Sequence, residues 1–169
     1  MLQRIRRLLR HRWRDESDTR RAIPADLAQR LAERVAASER RHSGEIRIYI
    51  EAGLPLSYLW RDATPRERAL AMFGKLGVWD TEHNNGVLIY LLLAEHAIEV
   101  VADRGLSRHV PQEHWQEIVQ RMSGAFRAAR YEEGLGQAVD EVTALLVQYF
   151  PVREGEANPN ELPDEPVLG

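Results

Sequence analysis

At 169 residues, with 44% hydrophobic content and a formal net charge of −3, the chain is long enough for one packed domain with tails. It carries no whole-molecule field of the kind that draws nucleic acid. The absence of cysteine excludes disulfides and thiolate metal sites, and leaves the redox compartment open. No window approaches the ~20 apolar residues of a spanning helix, and the basic start is not followed by the apolar core of a secretory signal. The expectation is therefore a cytoplasmic monomer with no nucleic-acid partner.

Charge is unevenly placed along this near-neutral chain. Arg4, Arg6, Arg7, Arg10, Arg12 and Arg14 all precede the first acid, Asp15. Leu2, Ile5, Leu8, Leu9 and Trp13 fall mostly on one face at helical spacing, with Arg12 intruding. Three readings fit 1–14: a helix lying on an anionic membrane surface, a disordered basic arm, or a helix packed on the domain. The first would make the protein peripheral to the inner face of a membrane. Asp15 to Ile23 is polar and reads as a linker, so 1–22 forms the arm and 23–151 the domain.

Pro24 suits a first helical turn, with Asp26 beside the dipole. Leu27, Leu31 and Val35 then give an amphipathic helix over about 24–40. Glu45 to Glu51 alternates strictly, predicting a strand with isoleucines on one face. Its other face carries Glu45, Arg47, Tyr49 and Glu51, and either is wet, the preferred reading, or lines something polar. Residues 52–64 are irregular, with Tyr58 and Trp60 as an aromatic pair. Thr64-Pro65-Arg66-Glu67 is a capping box with proline at the first helical position, opening a helix to about Leu76.

The stretch from Leu76 to Leu93 organises the rest. Val87 to Leu93 is uniformly apolar and too short for a membrane span, so it predicts a strand buried on both faces. Before it lies a polar turn bearing Asp80, Glu82, Asn84 and Asn85, closed by Gly86, where an Asn-Gly step permits positive φ. After it, Glu95-His96 turns the chain into a hairpin arm over 97–102. Pro111 opens a helix burying Trp115, Ile118, Val119 and Met122. A last helix runs from about Tyr131 to Pro151. The remainder, 152–169, is rich in Pro, Glu and Asn and predicts an acidic disordered tail.

Strand 45–51, helix 65–76 and strand 87–93 make a parallel βαβ unit, with strand 97–102 antiparallel to it. Glu45, the turn 80–85 and Asp103-Arg104 then share one edge of the sheet. Carboxylate and amide oxygens from Glu45, Asp80, Glu82, Asn84, Asn85 and Asp103 suit a hard cation such as Ca²⁺ or Mg²⁺. Arg104 can act as counter-ion to the cluster without metal, or to a phosphate. A capped, solvated turn accounts for the same residues. His42 and His83 fall near this edge.

The order and spacing of several pieces resemble the TPM domain family, named for a thylakoid lumen protein, a photosystem II repair protein and a modulator of a levamisole-sensitive receptor. The pieces are Gly44-Glu45-Ile46; Phe73, Leu76 and Trp79 before Asn85-Gly86-Val87-Leu88-Ile89; Ile98-Glu99 before Gly105-Leu106; and Met122, Phe126, Tyr131 and Gly134. The resemblance covers roughly Pro24 to Pro151. It implies a three-layer α/β/α sandwich around a small mixed β-sheet, with divalent-cation binding and, in a plant member, phosphatase activity. Other members look like non-catalytic partners of membrane complexes. This chain departs from them in lacking a signal peptide and a membrane-spanning tail, and in having Asp103-Arg104-Gly105 where many have a glycine-rich turn. It resembles a cytoplasmic bacterial branch. Two functions follow as expectations. One is a cation-binding or protein-binding module at a membrane assembly, with an unidentified protein partner. The alternative is a metal-dependent phosphomonoester hydrolase, with Asp80, Glu82 and Asp103 holding the cation and Arg104 neutralising phosphate.

Overall fold

The computed structural model describes residues 2–153, 155 and 157–169. Met1, Glu154, Glu156 and the side chains of Leu2 and Gln3 lie outside the described residues, as do the parts expected of Leu2 in the apolar face and of the two glutamates in the tail's charge. Helix α1 (Leu2–Arg12) leads into α2 (Glu16–Ala22), α3 (Ala25–Glu39), β1 (Ile46–Glu51), α4 (Leu56–Trp60), α5 (Pro65–Lys75) and β2 (Val87–Leu92). Then follow β3 (Ala97–Ala102), α6 (Arg104–Ser107), α7 (Gln112–Arg127), α8 (Tyr131–Tyr149) and β4 (Val167–Leu168).

The sheet order is β3-β2-β1-β4. Strands β1 and β2 are parallel from Ile46 opposite Val87 to Glu51 opposite Leu92. Strand β3 returns antiparallel, Val87 opposite Ala102, through a 3₁₀ turn at Leu93–Glu95 and a left-handed His96. The expected βαβ unit and hairpin are therefore present. Every residue of β2 is fully buried, because helices cover both faces of the sheet. Ile46, Ile48, Ile50, Val87, Ile89 and Leu91 pack on α3, α7 and α8. Tyr49, Leu88, Tyr90 and Leu92 pack on α4, α5 and Leu8 of α1. Each large aliphatic side chain so buried contributes roughly 1.5–3 kcal/mol. The architecture is the three-layer α/β/α sandwich around a mixed sheet.

Three expectations are corrected. The second face of β1 is not wet: Glu45, Arg47, Tyr49 and Glu51 are all buried. Since β2 is apolar on both sides, both sides of its neighbour must be covered too. The stretch read as a linker contains α2, capped by Asp15, whose side chain accepts from Ser17 while Asp18 returns the bond. The tail expected to be disordered instead crosses the edge of β1. There Val167 and Leu168 add a fourth, parallel strand opposite Tyr49 and Ile50, and the Gly169 carbonyl accepts from Thr19 Oγ1 at 2.8 Å. Residues 2–12 form a helix packed on the domain, which overturns the reading of 1–14 as a disordered arm.

Candidate functional site

The turn before β2 is built by its own side chains. Thr81 Oγ1 accepts the Asn85 N–H at 3.1 Å, drawing the loop into a tight polar turn. Asn84 takes the left-handed conformation, φ 52°, which asparagine tolerates. Gly86 does not; its φ is not positive, so the expected reason for this glycine is wrong. The actual reason is space, since a β-carbon there would run into the Val78 carbonyl oxygen. Across the edge, the Asp103 N–H donates to Gly86 O at 2.9 Å and the Gly105 N–H to Asn84 O at 2.8 Å. A β-carbon on Gly105 would meet the His83 and Asn84 carbonyls. The two loops are thus closed against each other.

The expected site residues fall into three groups. Asn84, Asn85, Asp103 and Arg104 come together on these two loops. Arg104 donates from Nε and Nη2 to Asn84 Oδ1 at 3.1 and 3.0 Å, and forms no ion pair among the described residues. Asn85 is buried; its Nδ2 donates to Ser43 Oγ at 3.2 Å. Asp103 Oδ1 accepts the Arg104 N–H at 2.7 Å as the cap of α6. Two oxygens remain: Asn85 Oδ1 and Asp103 Oδ2 are buried with no hydrogen-bond partner. Asp80 and Glu82 form a second group, exposed on the rim of the turn. The Glu82 N–H donates to Glu161 Oε2 at 3.0 Å. Glu45 stands apart, because the tail takes its carboxylate: the N–H groups of Glu161 and Leu162 donate to it at 3.2 and 3.1 Å.

A carboxylate cleft that sequence reasoning missed lies beside Glu45. About 430 Å³ in volume, it is lined by Glu39, Arg40, Glu45, Asn158, Asn160 and Asp164, with Ala36 and Pro159. Glu39 accepts the Ile46 N–H at 2.8 Å. Burial, with Glu45 and Asp164 nearby, pushes its carboxyl up to about 9. Burial likewise pushes Glu45 up to about 7, against the two N–H donors that favour its ionised form. Asn158 Nδ2 ties the tail to the carbonyls of Glu39 and His42. His42 itself is wholly buried, held by Ser38 Oγ at 2.7 Å and the Gly44 carbonyl at 3.1 Å; burial holds it neutral, down to about 4. It is a core residue, whereas His83 is exposed.

On the other face, Arg68 of α5 meets Glu51 at 2.5 Å. The Tyr90 and Tyr49 hydroxyls donate to the same carboxylate at 2.8 and 3.2 Å. Tyr58 stacks beneath Arg61 and Arg68, so one ring of the aromatic pair serves this network. No local spacing in the sequence pairs Glu51 with Arg68.

Among the described residues, no group of three or more His, Cys, Asp or Glu side chains is placed to hold a metal ion. A cation at this edge would draw on Asn85 Oδ1 and Asp103 Oδ2, with backbone carbonyls or water completing its shell. Asn85 Oδ1 and Asp103 Oδ2 are the buried oxygens left without a partner at this edge, and hard neutral and anionic oxygens are the kind that Ca²⁺ and Mg²⁺ take.

Fold and edge together define a small α/β/α domain whose polar turns converge at the start of its central parallel strands. The chain belongs to the TPM domain family, whose model matches residues 17–145. Among solved structures it is similar to the BA42 protein of the psychrophilic bacterium Bizionia argentinensis. The match has 23% identity and a TM-score of 0.74, and covers 87% of this chain and 95% of that one. It is also similar to the N-terminal domain of a protein from P. gingivalis, at 22% identity and a TM-score of 0.57, covering 72% and 76%. Both likenesses concern the fold. No curated protein matches the chain.

Proposed function

We propose that this TPM domain is a divalent-cation-binding module that engages a protein partner rather than turning over a substrate. The observation that carries the reading is the pair of buried, unpartnered oxygens, Asn85 Oδ1 and Asp103 Oδ2, on two loops closed against each other. An unmet buried acceptor costs about 1–3 kcal/mol, a cost that a bound Ca²⁺ or Mg²⁺ removes. Asp80 and Glu82, exposed on the rim, add negative potential along the approach. The neighbouring Glu161 belongs to the tail, so an ion here bears on how the tail is held and on the surface a partner meets.

Titration with Ca²⁺ and with Mg²⁺, followed by heteronuclear NMR, tests this. The expected result is saturable shifts centred on 81–86 and 103–105. Shifts confined to the exposed carboxylates, or none, contradict it. The phosphomonoester hydrolase reading rests on exposed Arg104 beside Asp103, a cation and an acid at one edge. Metal-dependent turnover of a generic phosphomonoester, lost in Asp103→Asn, would establish it over the binding module; saturable binding without turnover would remove it.

A further inference from the structure

Helix α1 is attached to the domain by Arg7 and His11, with Leu8 packed on the core beside them. His11 is buried, and its Nδ1 accepts the Leu54 N–H at 2.9 Å. Its proton therefore sits on Nε2, which donates to Glu95 Oε1 at 2.8 Å. Arg7 donates to Glu95 at 2.7 Å, to Asp62 at 2.8 Å and to the Ala63 carbonyl at 2.6 Å. Ile5, Leu9 and Trp13 lie at i, i+4 and i+8, about 200° of helical turn from Arg7 and His11. The apolar stripe therefore faces solvent, and Trp13 is 82% exposed. That is the reverse of a surface helix in a globular domain, which turns its apolar stripe inward.

The adjoining α4 repeats the feature. It lies between two of the places where α1 is fastened, Leu54 and Asp62–Ala63, and exposes Leu56 and Trp60, the latter 73%. Of the large hydrophobic side chains exposed among the described residues, five of seven belong to α1, its end and α4. Around them is cationic charge that the protein leaves unneutralised. Arg6, Arg10, Arg12 and Arg14 form no ion pair among the described residues. Arg6 and Arg10, one turn apart, line a cleft of about 430 Å³ with Arg7 and Glu95.

We infer that α1 and α4 form a face that docks on an anionic lipid bilayer. Ile5, Leu9, Trp13, Leu56 and Trp60 enter the headgroup–acyl boundary, and Arg6 and Arg10 receive lipid phosphates. Exposed tryptophan beside aliphatic side chains suits that boundary, where one part of the ring is buried and the N–H stays wet. The free arginines favour lipid phosphate over a neutral apolar partner. Arg7 and His11 hold the face rigidly, so docking would orient the whole domain on the surface. This inference is independent of the cation site.

The test is flotation of the full chain with phosphatidylcholine vesicles and with phosphatidylcholine–phosphatidylglycerol vesicles at physiological ionic strength, with chelator present so that no cation bridges protein and lipid. Two variants accompany it, Arg6→Gln/Arg10→Gln and Leu9→Ser/Trp13→Ser. All four residues are surface ones, and thermal melts confirm that folding is unchanged. The expected result is binding to the anionic vesicles only, with a blue shift of tryptophan emission. The arginine variant should bind roughly thirtyfold more weakly, and the serine variant should lose the blue shift. Equal binding to neutral vesicles overturns the inference, and so does binding that the serine variant leaves untouched, which is adsorption by charge alone. No vesicle binding, with self-association in solution that the serine variant abolishes, assigns the face to a second copy of this chain and overturns it as well.

Discussion

The two faces of β1 are made from one strand and held by different physics. On the first, Ile46, Ile48 and Ile50 meet α3, α7 and α8 with no polar atom to satisfy. On the second, four polar side chains are buried, and each needs a partner from elsewhere. Glu45 takes two N–H groups from the tail. Arg47 donates to the Pro163 and Glu165 carbonyls. Tyr49 and Glu51 join Tyr90 and Arg68. The first face tolerates small change, because hydrophobic contact is spread over many atoms. The second is all-or-none at each residue, because a buried charge that loses its partner keeps its desolvation cost.

The largest effect should come from cutting the second face at its centre. Glu51→Ala strands the Arg68 guanidinium and two tyrosine hydroxyls, and should cost about 3–5 kcal/mol in urea unfolding. If Arg68→Met/Glu51→Leu were no more stable than the single variant, the stranded charge would not be the cause. Next is Gly86→Ala, expected to cost about 1–3 kcal/mol because the loop must move off Val78. Since φ at Gly86 is not positive, that loss comes from the collision of the β-carbon with the Val78 carbonyl oxygen and not from backbone strain. Ile48→Val, on the apolar face, should cost only about 0.5–1.5 kcal/mol.

The pH dependence separates the faces further, with signs fixed by linkage. Glu39 and Glu45 have folded values raised to about 9 and about 7. Folding therefore retains protons that the unfolded chain releases, and their contribution is full below the unfolded value and lost as pH rises through 7 and 9. His42, lowered to about 4, acts oppositely, adding stability as pH rises from about 4 to its unfolded value near 6.5. The two trends oppose each other in mildly acid solution, and above neutral only the glutamates remain. Stability should thus fall between pH 7 and 9, and Glu39→Gln, whose amide oxygen can still accept the Ile46 N–H, should flatten that fall. A flat profile in the parent protein would contradict the buried-carboxylate account.

What was legible in the sequence follows the same division. The isoleucine alternation of β1, the apolar run of β2 and the Thr64–Glu67 capping box are local patterns, and each formed where its pattern stands. The tail was not legible. Val167-Leu168, between Pro166 and Gly169, is too short to read as a strand, and it is one only because β1 leaves an edge unpaired. The Glu51–Arg68 pair depends on α5 crossing that face, a tertiary fact. One clue was available: a β2 apolar on both faces demands cover on both, and so a buried polar face on β1. Of the candidate site, the convergence of Asn84, Asn85, Asp103 and Arg104 followed from topology, whereas the capture of Glu45 by the tail could not, for the tail's path was invisible.

The most direct measurement on the cation site is a set of thermal melts of the parent protein and Asp103→Asn, with and without Ca²⁺ or Mg²⁺. A cation at 100 times its dissociation constant should stabilise the parent by about 2.7 kcal/mol. Asp103→Asn should remove most of that gain while making the cation-free protein more stable, because a buried unpartnered carboxylate oxygen becomes a neutral amide. No response of the parent to either ion, together with a loss of stability in Asp103→Asn, would contradict the account and leave Asp103 as the cap of α6 alone.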